Sequence, residues 1–141
     1  MKPVTFGIIG AGRIGKLHAD NLLRRVDGAR LKAITDPFLD EDWAASRNIP
    51  LTGKDHRILL DDPEIEAILI GSPSAEHAPQ MIECAEAGKH IFCEKPIALD
   101  PEIIRNALAE VDKSGVKLQV GFNRRFDPNF SSVQHQVASG A

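Results

Sequence analysis

The segment Gly10-Ala11-Gly12-Arg13-Ile14-Gly15 follows directly on the apolar run Val4 to Ile9 and opens a stretch of helical period. It constrains the fold more than any other feature, because each glycine answers a separate steric demand of a strand that turns at once into a helix. Gly10 permits the tight turn, Gly12 lets backbone N–H groups approach a ligand, and Gly15 lets the helix pack closely on its strand. A helix that starts at such a turn presents unbonded N–H groups and partial positive charge, which suit a pyrophosphate. The candidate cofactor-binding residues of the turn are Gly10, Gly12, Arg13, Ile14 and Gly15. The plainer alternative is that these glycines only shape a βα turn. Arg13 stacks on a base, pairs with a phosphate, or is simply a solvated arginine at a helix start.

The remainder of the chain fits the same architecture. Val4 to Ile9, Leu31 to Thr35, Ala67 to Ile70, His90 to Cys93 and Leu118 to Phe122 read as strands, with Pro50 to Thr52 a weaker sixth. Their near-continuous apolar character suits a parallel sheet covered on both faces. Between them lie helical stripes: Ile14, Leu17, Leu22 and Val26; Ala78, Met81, Ile82 and Ala85; Ile104, Ala107, Leu108 and Val111. Ser74 is expected to cap the second of these helices. Asp100 before Pro101 caps the third, and Gly88 and Gly115 are stops. Shorter helical pieces are expected at Glu41 to Arg47 and Asp55 to Leu60. The fold class is α/β, a doubly wound parallel sheet with strand order 3-2-1-4-5-6. Residues 1–123 form the dinucleotide-binding Rossmann domain. Residues 124–141 form a connecting segment and a final helix with Phe126, Phe130, Val133 and Val137 on one face.

Asp36 ends the second strand, 21 residues past Gly15, where this fold places an acid that accepts hydrogen bonds from an adenosine ribose. A carboxylate there repels a 2′-phosphate. Pro37 and Phe38 follow instead of an arginine, so NAD is favoured over NADP. Ligands of open α/β sheets bind beyond the carboxyl ends of the strands. Ser72, Pro73 and His77 follow the fourth strand there, Glu94 and Lys95 the fifth, and Asn123 and Arg125 the last. Ser72, Pro73, His77 and Glu94 are taken as cofactor-binding. His77 lines the nicotinamide pocket or is a satisfied ring in its helix. Lys95 precedes a proline, which restricts its backbone, and an ammonium beside a nicotinamide can favour ionisation of a hydroxyl. The competing reading makes Glu94 and Lys95 a surface ion pair.

Seventeen Lys plus Arg against twenty Asp plus Glu give a net charge of −3, and no basic run exceeds two residues, so nucleic acid is not an expected partner. No stretch approaches the roughly 18 apolar residues of a membrane span, and the N-terminus lacks a signal-like pattern. Cys84 and Cys93 have no CxxC spacing and read as small apolar residues of a reducing, cytoplasmic compartment. His18 reads as structural, and His56, His90 and His135 show no metal-ligand spacing, so no metal is expected.

The stretches GIIGAGRIGKLHADNL, AITDP, GSPSAEHAPQMIECAEAGKHIFCEKPIAL and QVGFNRRFDPNF together resemble the glucose-fructose oxidoreductase and inositol dehydrogenase family. The last of them looks most like its inositol 2-dehydrogenase branch. The resemblance covers essentially the whole chain. It implies NAD-dependent oxidation of a secondary alcohol of myo-inositol, or a related cyclitol or sugar, to a ketone. It makes Lys95 the catalytic lysine and Arg125, with Asn123, the substrate contact. It implies a homo-oligomeric parent with a second, substrate domain whose Asp-x-x-x-His element supplies the general base beyond residue 141, and hence little turnover by these residues alone. The rival is a non-catalytic NAD-binding or regulatory module.

Overall fold

The structure, a computed structural model, describes residues 2–140. Strands β1 (Val4–Ile9), β2 (Ala29–Thr35), β3 (Leu51–Gly53), β4 (Ala67–Ile70), β5 (His90–Cys93) and β6 (Leu118–Val120) alternate with helices α1 (Arg13–Arg24), α2 (Glu41–Ser46), α3 (Arg57–Leu60), α4 (Ser74–Glu86) and α5 (Pro101–Ser114). A short 3-10 helix, Asn123–Phe126, leads into α6 (Pro128–Ser139). All strand pairs are parallel, in the order β3-β2-β1-β4-β5-β6, as the sequence leads one to expect. The order reverses between β1 and β4, which opens a crevice at the carboxyl edge.

That edge is level. Ile9 is paired with Thr35 and with Ile70, Thr35 with Gly53, Ile70 with Cys93, and Cys93 with Val120. The next residues, Gly10, Asp36, Lys54, Gly71, Glu94 and Gly121, therefore form one row. Five of them continue the ladder one step past the strands, each N–H donating to the last carbonyl of the neighbouring strand at 2.7–3.1 Å: Gly10 to Thr35, Asp36 to Gly53, Gly71 to Ile9, Glu94 to Ile70 and Gly121 to Cys93.

Alternate strand residues face opposite layers, with one step lost in β2 where the register shifts between Leu31 and Ala33. Ile8, Leu31, Ile34 and Leu69 meet Ala19 and Leu22 of α1 and Ala44 of α2. Ile9, Ala33, Ile68, Ile70, Ile91 and Cys93 meet Leu59 of α3, Met81 and Cys84 of α4, and Ala107 and Val111 of α5. The expected stripe of α1 is corrected. Leu22 is buried as expected, but Leu17 and Val26, the latter past the end of α1, are exposed, and Gly15 and Ala19 are buried in their place, because small residues let the helix lie close to the sheet. Leu108 of α5 is also exposed. Asp100 caps α5 by accepting from the Glu102 N–H, but Ser74 caps nothing: it is the first residue of α4, behind Pro73. β2 starts earlier than expected, at Ala29, and β6 ends at Val120 where Gly121 and Phe122 turn away.

Both cysteines are free and buried in the α4 layer, and burial pushes each thiol up to about 12 from an ordinary 9.0. A raised folded-state value favours the native state while the thiol stays protonated. That contribution is present below about pH 9 and is lost as pH climbs towards 12. No helix among the described residues is long and apolar enough to cross a membrane.

The last helix departs from this pattern. Asp127 caps α6 through the Asn129 and Phe130 N–H groups, yet α6 buries no residue. Phe126, Phe130, Val133 and Val137 are all exposed, and Arg124 lies over the Phe130 ring at 4.6 Å. A contiguous apolar face of this kind favours association. Sedimentation should show self-association that rises with concentration, and Phe130→Asp should shift the chain towards monomer without weakening dinucleotide binding. A monomer at every concentration would contradict this.

Candidate functional site

The crevice above the order reversal is a cavity of about 700 Å³, within the range of small-molecule sites. Gly10, Gly12, Arg13, Ile14, Asp36, Ser72 and Pro73, singled out from the sequence, all line it. Gly10 has φ +96°, and a Cβ there would lie 2.6 Å from the Ser72 nitrogen. A Cβ on Gly15 would come within 1.9 Å of the Gly10 carbonyl oxygen, so this glycine serves the contact between α1 and its own turn and does not line the cavity. Gly12 is different: a Cβ there would meet nothing within 4 Å, and its absence leaves an open cradle.

The helix starts mark where an anion belongs. Asp40, Asp100 and Asp127 cap α2, α5 and α6 through their side chains. The N-termini of α1 and α4 have no side-chain cap, and the residues before them, Gly12 and Pro73, are on the cavity wall. Two helices of 12 and 13 residues thus direct unbonded N–H groups and positive dipole ends at one space. The residues fit the diphosphate of a dinucleotide.

Asp36 holds the turn itself. Its Oδ2 accepts the Ala11 N–H at 2.7 Å and its Oδ1 accepts the Phe38 N–H at 2.8 Å. Each oxygen keeps acceptor capacity for a hydroxyl. The sequence reading missed other parts of this wall: Thr35, Phe38, Lys54, His56, Glu76 and Gln80. Phe38 is 93% exposed, a bare aromatic ring at the mouth of the cavity that a flat base would cover. His56 hydrogen-bonds Glu83, and Ser72 Oγ donates to Gln80 Oε1 at 2.6 Å. Lys54 and His56 were legible only by aligning the end of the weakest strand with Asp36.

Of the remaining sequence candidates, two have other employment. His77 is 2% exposed and is not part of the cavity wall. Its Nδ1 lies 2.7 Å from the Pro96 carbonyl oxygen and its Nε2 2.8 Å from that of Ser72. It ties the loop after β4 to the loop after β5 with both nitrogens engaged by carbonyl oxygens, a satisfied ring in its helix. Glu94 likewise turns inward. His18 Nε2 donates to its Oε1 at 2.8 Å, and the Lys95 N–H donates to its Oε2 at 3.2 Å. The side chain of Glu94 is therefore hydrogen-bonded to His18, whose ring also meets Phe92 edge-on at 5.4 Å, and is not ion-paired with the Lys95 ammonium. Lys95 is exposed, and its bond to Pro96 is cis. Asn123 and Arg125 are exposed on the 3-10 helix, with Arg125 5.9 Å from the Phe122 ring. Lys95, Asn123 and Arg125 lie outside the 700 Å³ cavity. Among the described residues no cluster of His, Cys, Asp or Glu could hold a metal.

A level parallel edge, a glycine turn, an acid at the end of β2 and two uncapped helix starts define a Rossmann dinucleotide-binding domain. Comparison with known proteins makes the class specific: the model of the GFO_IDH_MocA family, an oxidoreductase family with an NAD-binding Rossmann fold, matches residues 4–122, and the chain belongs to that family. It is 50% identical over 141 residues to the uncharacterized oxidoreductase YrbE of Bacillus subtilis, covering 99% of this chain and 41% of that one. It is 40% identical over 139 residues to a myo-inositol 2-dehydrogenase of Thermotoga maritima, covering 97% and 41%. Among solved structures, the scyllo-inositol dehydrogenase of Lactobacillus casei with bound NAD(H) and scyllo-inositol superposes with a TM-score of 0.91 at 35% identity, over 99% of this chain and 42% of that one. The chain thus spans about two fifths of the length of these relatives.

The glycines separate folding from binding. Gly15→Ala forces a backbone clash and should destabilise the chain by about 1–3 kcal/mol. Gly12→Ala should leave the thermal midpoint unchanged and weaken NAD binding about tenfold or more, because its methyl projects into the cradle. Thermal denaturation and calorimetry on both variants check the contrast.

Proposed function

We propose that the chain is the cofactor half of a dehydrogenase that oxidises a secondary alcohol of myo-inositol, or of a related cyclitol or sugar, to a ketone. The observation that carries this is the cavity at the order reversal, with two uncapped helix starts facing Asp36. Its likeness to inositol dehydrogenases of Thermotoga maritima and Lactobacillus casei supports the substrate class. Residues 1–123 serve as the dinucleotide domain and 124–141 as the connection towards a substrate domain. In this reading the enzyme is cytoplasmic and homo-oligomeric.

When bound, NAD accepts the hydride leaving the alcohol carbon. The chain's residues seat and orient the participants. Gly12 and the N-termini of α1 and α4 hold the diphosphate, Asp36 accepts from the adenosine ribose, and Phe38 covers the base. Lys95 stands at the end of β5 with its backbone N–H held by Glu94, and Glu94 is held by His18. Its ammonium hydrogen-bonds the reacting hydroxyl and stabilises the negative charge that grows on that oxygen as the C–H bond breaks. Asn123 and Arg125 bind further hydroxyls. The alcohol proton goes to a general base outside the described residues.

A second reading, an NAD-binding module without turnover, rests on the same cavity. The two separate on activity.

Calorimetry with both cofactors should show NAD bound more tightly than NADP, with Asp36→Ala narrowing the difference. Equal or tighter NADP binding by the wild type would contradict the role given to Asp36. By NADH absorbance, the 141-residue chain should give no appreciable turnover of myo-inositol. In a chain extended to the length of its relatives, Lys95→Ala should lower kcat by about 10²–10⁴, the range of a positioned acid or base. A small effect would remove Lys95 from the chemistry, and an extended chain that binds NAD without turnover would favour the binding module.

A further inference from the structure

A cation stands beside the ribose acid that is invisible in the segment around Asp36 itself. Pro37 and Phe38 follow Asp36 where a phosphate-binding arginine would otherwise stand, and on that local evidence a 2′-phosphate meets only repulsion. The sheet changes the account. Thr35 of β2 is paired with Gly53 of β3, and the Asp36 N–H donates to the Gly53 carbonyl at 3.1 Å. The residue after Gly53 is Lys54, so Lys54 occupies the row position next to Asp36, one strand further out. It lines the same cavity as Asp36, Arg13 and Phe38. It is exposed, and among the described residues no carboxylate lies within ion-pairing distance of its ammonium, whereas Lys16, Lys32, Lys113 and Arg47 are each engaged with one. The Asp36 oxygens already accept the Ala11 and Phe38 N–H groups, which fixes the carboxylate against its own turn and leaves the Lys54 side chain free to meet a ligand.

Resting on the cofactor reading above, we propose that Lys54 is the specificity-determining residue at the adenosine ribose, a cation that offsets Asp36 and keeps a 2′-phosphorylated dinucleotide within reach of the site. A 2′-phosphate adds about −1.5 to −2 charge and three acceptor oxygens near neutral pH. Asp36 repels it, and Lys54 supplies a charge-assisted donor from the adjacent strand end. NAD carries a hydroxyl at that position and draws much less from the ammonium. Lys54 therefore sets how far NADP trails NAD. Because the lysine is exposed, its share of the attraction weakens with salt.

The test is calorimetric titration of the 141-residue chain with NAD and NADP at low and high ionic strength, for the wild type, Lys54→Gln, Arg13→Gln and Lys113→Gln. The last makes the same charge change on α5, away from the crevice. Loss of one charge-assisted hydrogen bond corresponds to roughly a tenfold change. Lys54→Gln should widen the ratio of NADP to NAD dissociation constants about tenfold at low salt and much less at high salt, while Lys113→Gln leaves the ratio unchanged. In Asp36→Asn, NADP should bind more tightly, and adding Lys54→Gln should remove most of that gain. An unchanged ratio in Lys54→Gln overturns the proposal, as does a ratio that follows Arg13→Gln alone, or an equal shift in Lys113→Gln. NAD binding by the wild type with any of those outcomes leaves the cofactor reading standing. A folded wild type that binds neither dinucleotide overturns both.

Discussion

The crevice depends on parallel strands that finish at the same level, β3, β2, β1 and β4 supplying its wall. Hydrogen bonds carry the sheet one residue beyond five of its strands, so Gly10, Asp36, Gly71, Glu94 and Gly121 are placed by a neighbouring strand and not by the loop. Loop residues usually pay an entropic cost for being held. Here the ladder already bears it, and Gly10, Asp36, Gly71 and Glu94 begin from fixed backbone positions. Asp36 then returns the favour by accepting the Ala11 N–H, which locks the glycine turn to the end of β2.

Polar side chains divide into those that complete the protein and those left open. Aspartates close the starts of α2, α5 and α6, His77 spans two loops through carbonyl oxygens, and Glu94 satisfies both His18 and the Lys95 N–H. The crevice wall holds groups left unpaired: the starts of α1 and α4, the Phe38 ring and the Lys54 ammonium.

The order of the strands, the glycine turn and the acid of β2 were legible because each is a local pattern with a steric cause. Gly10 needs its positive φ, and Gly15 cannot carry a methyl, whatever surrounds them. Lys54 and His56 were not marked by anything near them in sequence; the β2–β3 register brings Lys54 beside Asp36, and His56 shares the cavity wall. His77, in the first turn of α4, and Glu94, after β5, stand where the sequence puts them, but their protein partners were not readable from it. A sequence shows which residues stand at the edge of a sheet, while the direction of a side chain depends on partners such as His18, 76 residues from Glu94. The α1 stripe failed for a related reason: Gly15 and Ala19 are too small to register as apolar signal, and closeness to the sheet is what buries them.

Helix α1 is fastened twice. Its leading turn is held by Asp36 through Ala11, and His18, five residues past Arg13 and so about 7.5 Å along the axis, is held by Glu94 beneath the Lys95 loop. The helix thereby serves as a gauge between the glycine turn and the loop after β5. A substitution on its outer face leaves that spacing intact. Insertion or deletion of a single residue between Gly15 and His18 would rotate the imidazole by about 100° away from Glu94 without altering the glycine turn. The length of α1 in this stretch is therefore under tighter physical constraint than its composition.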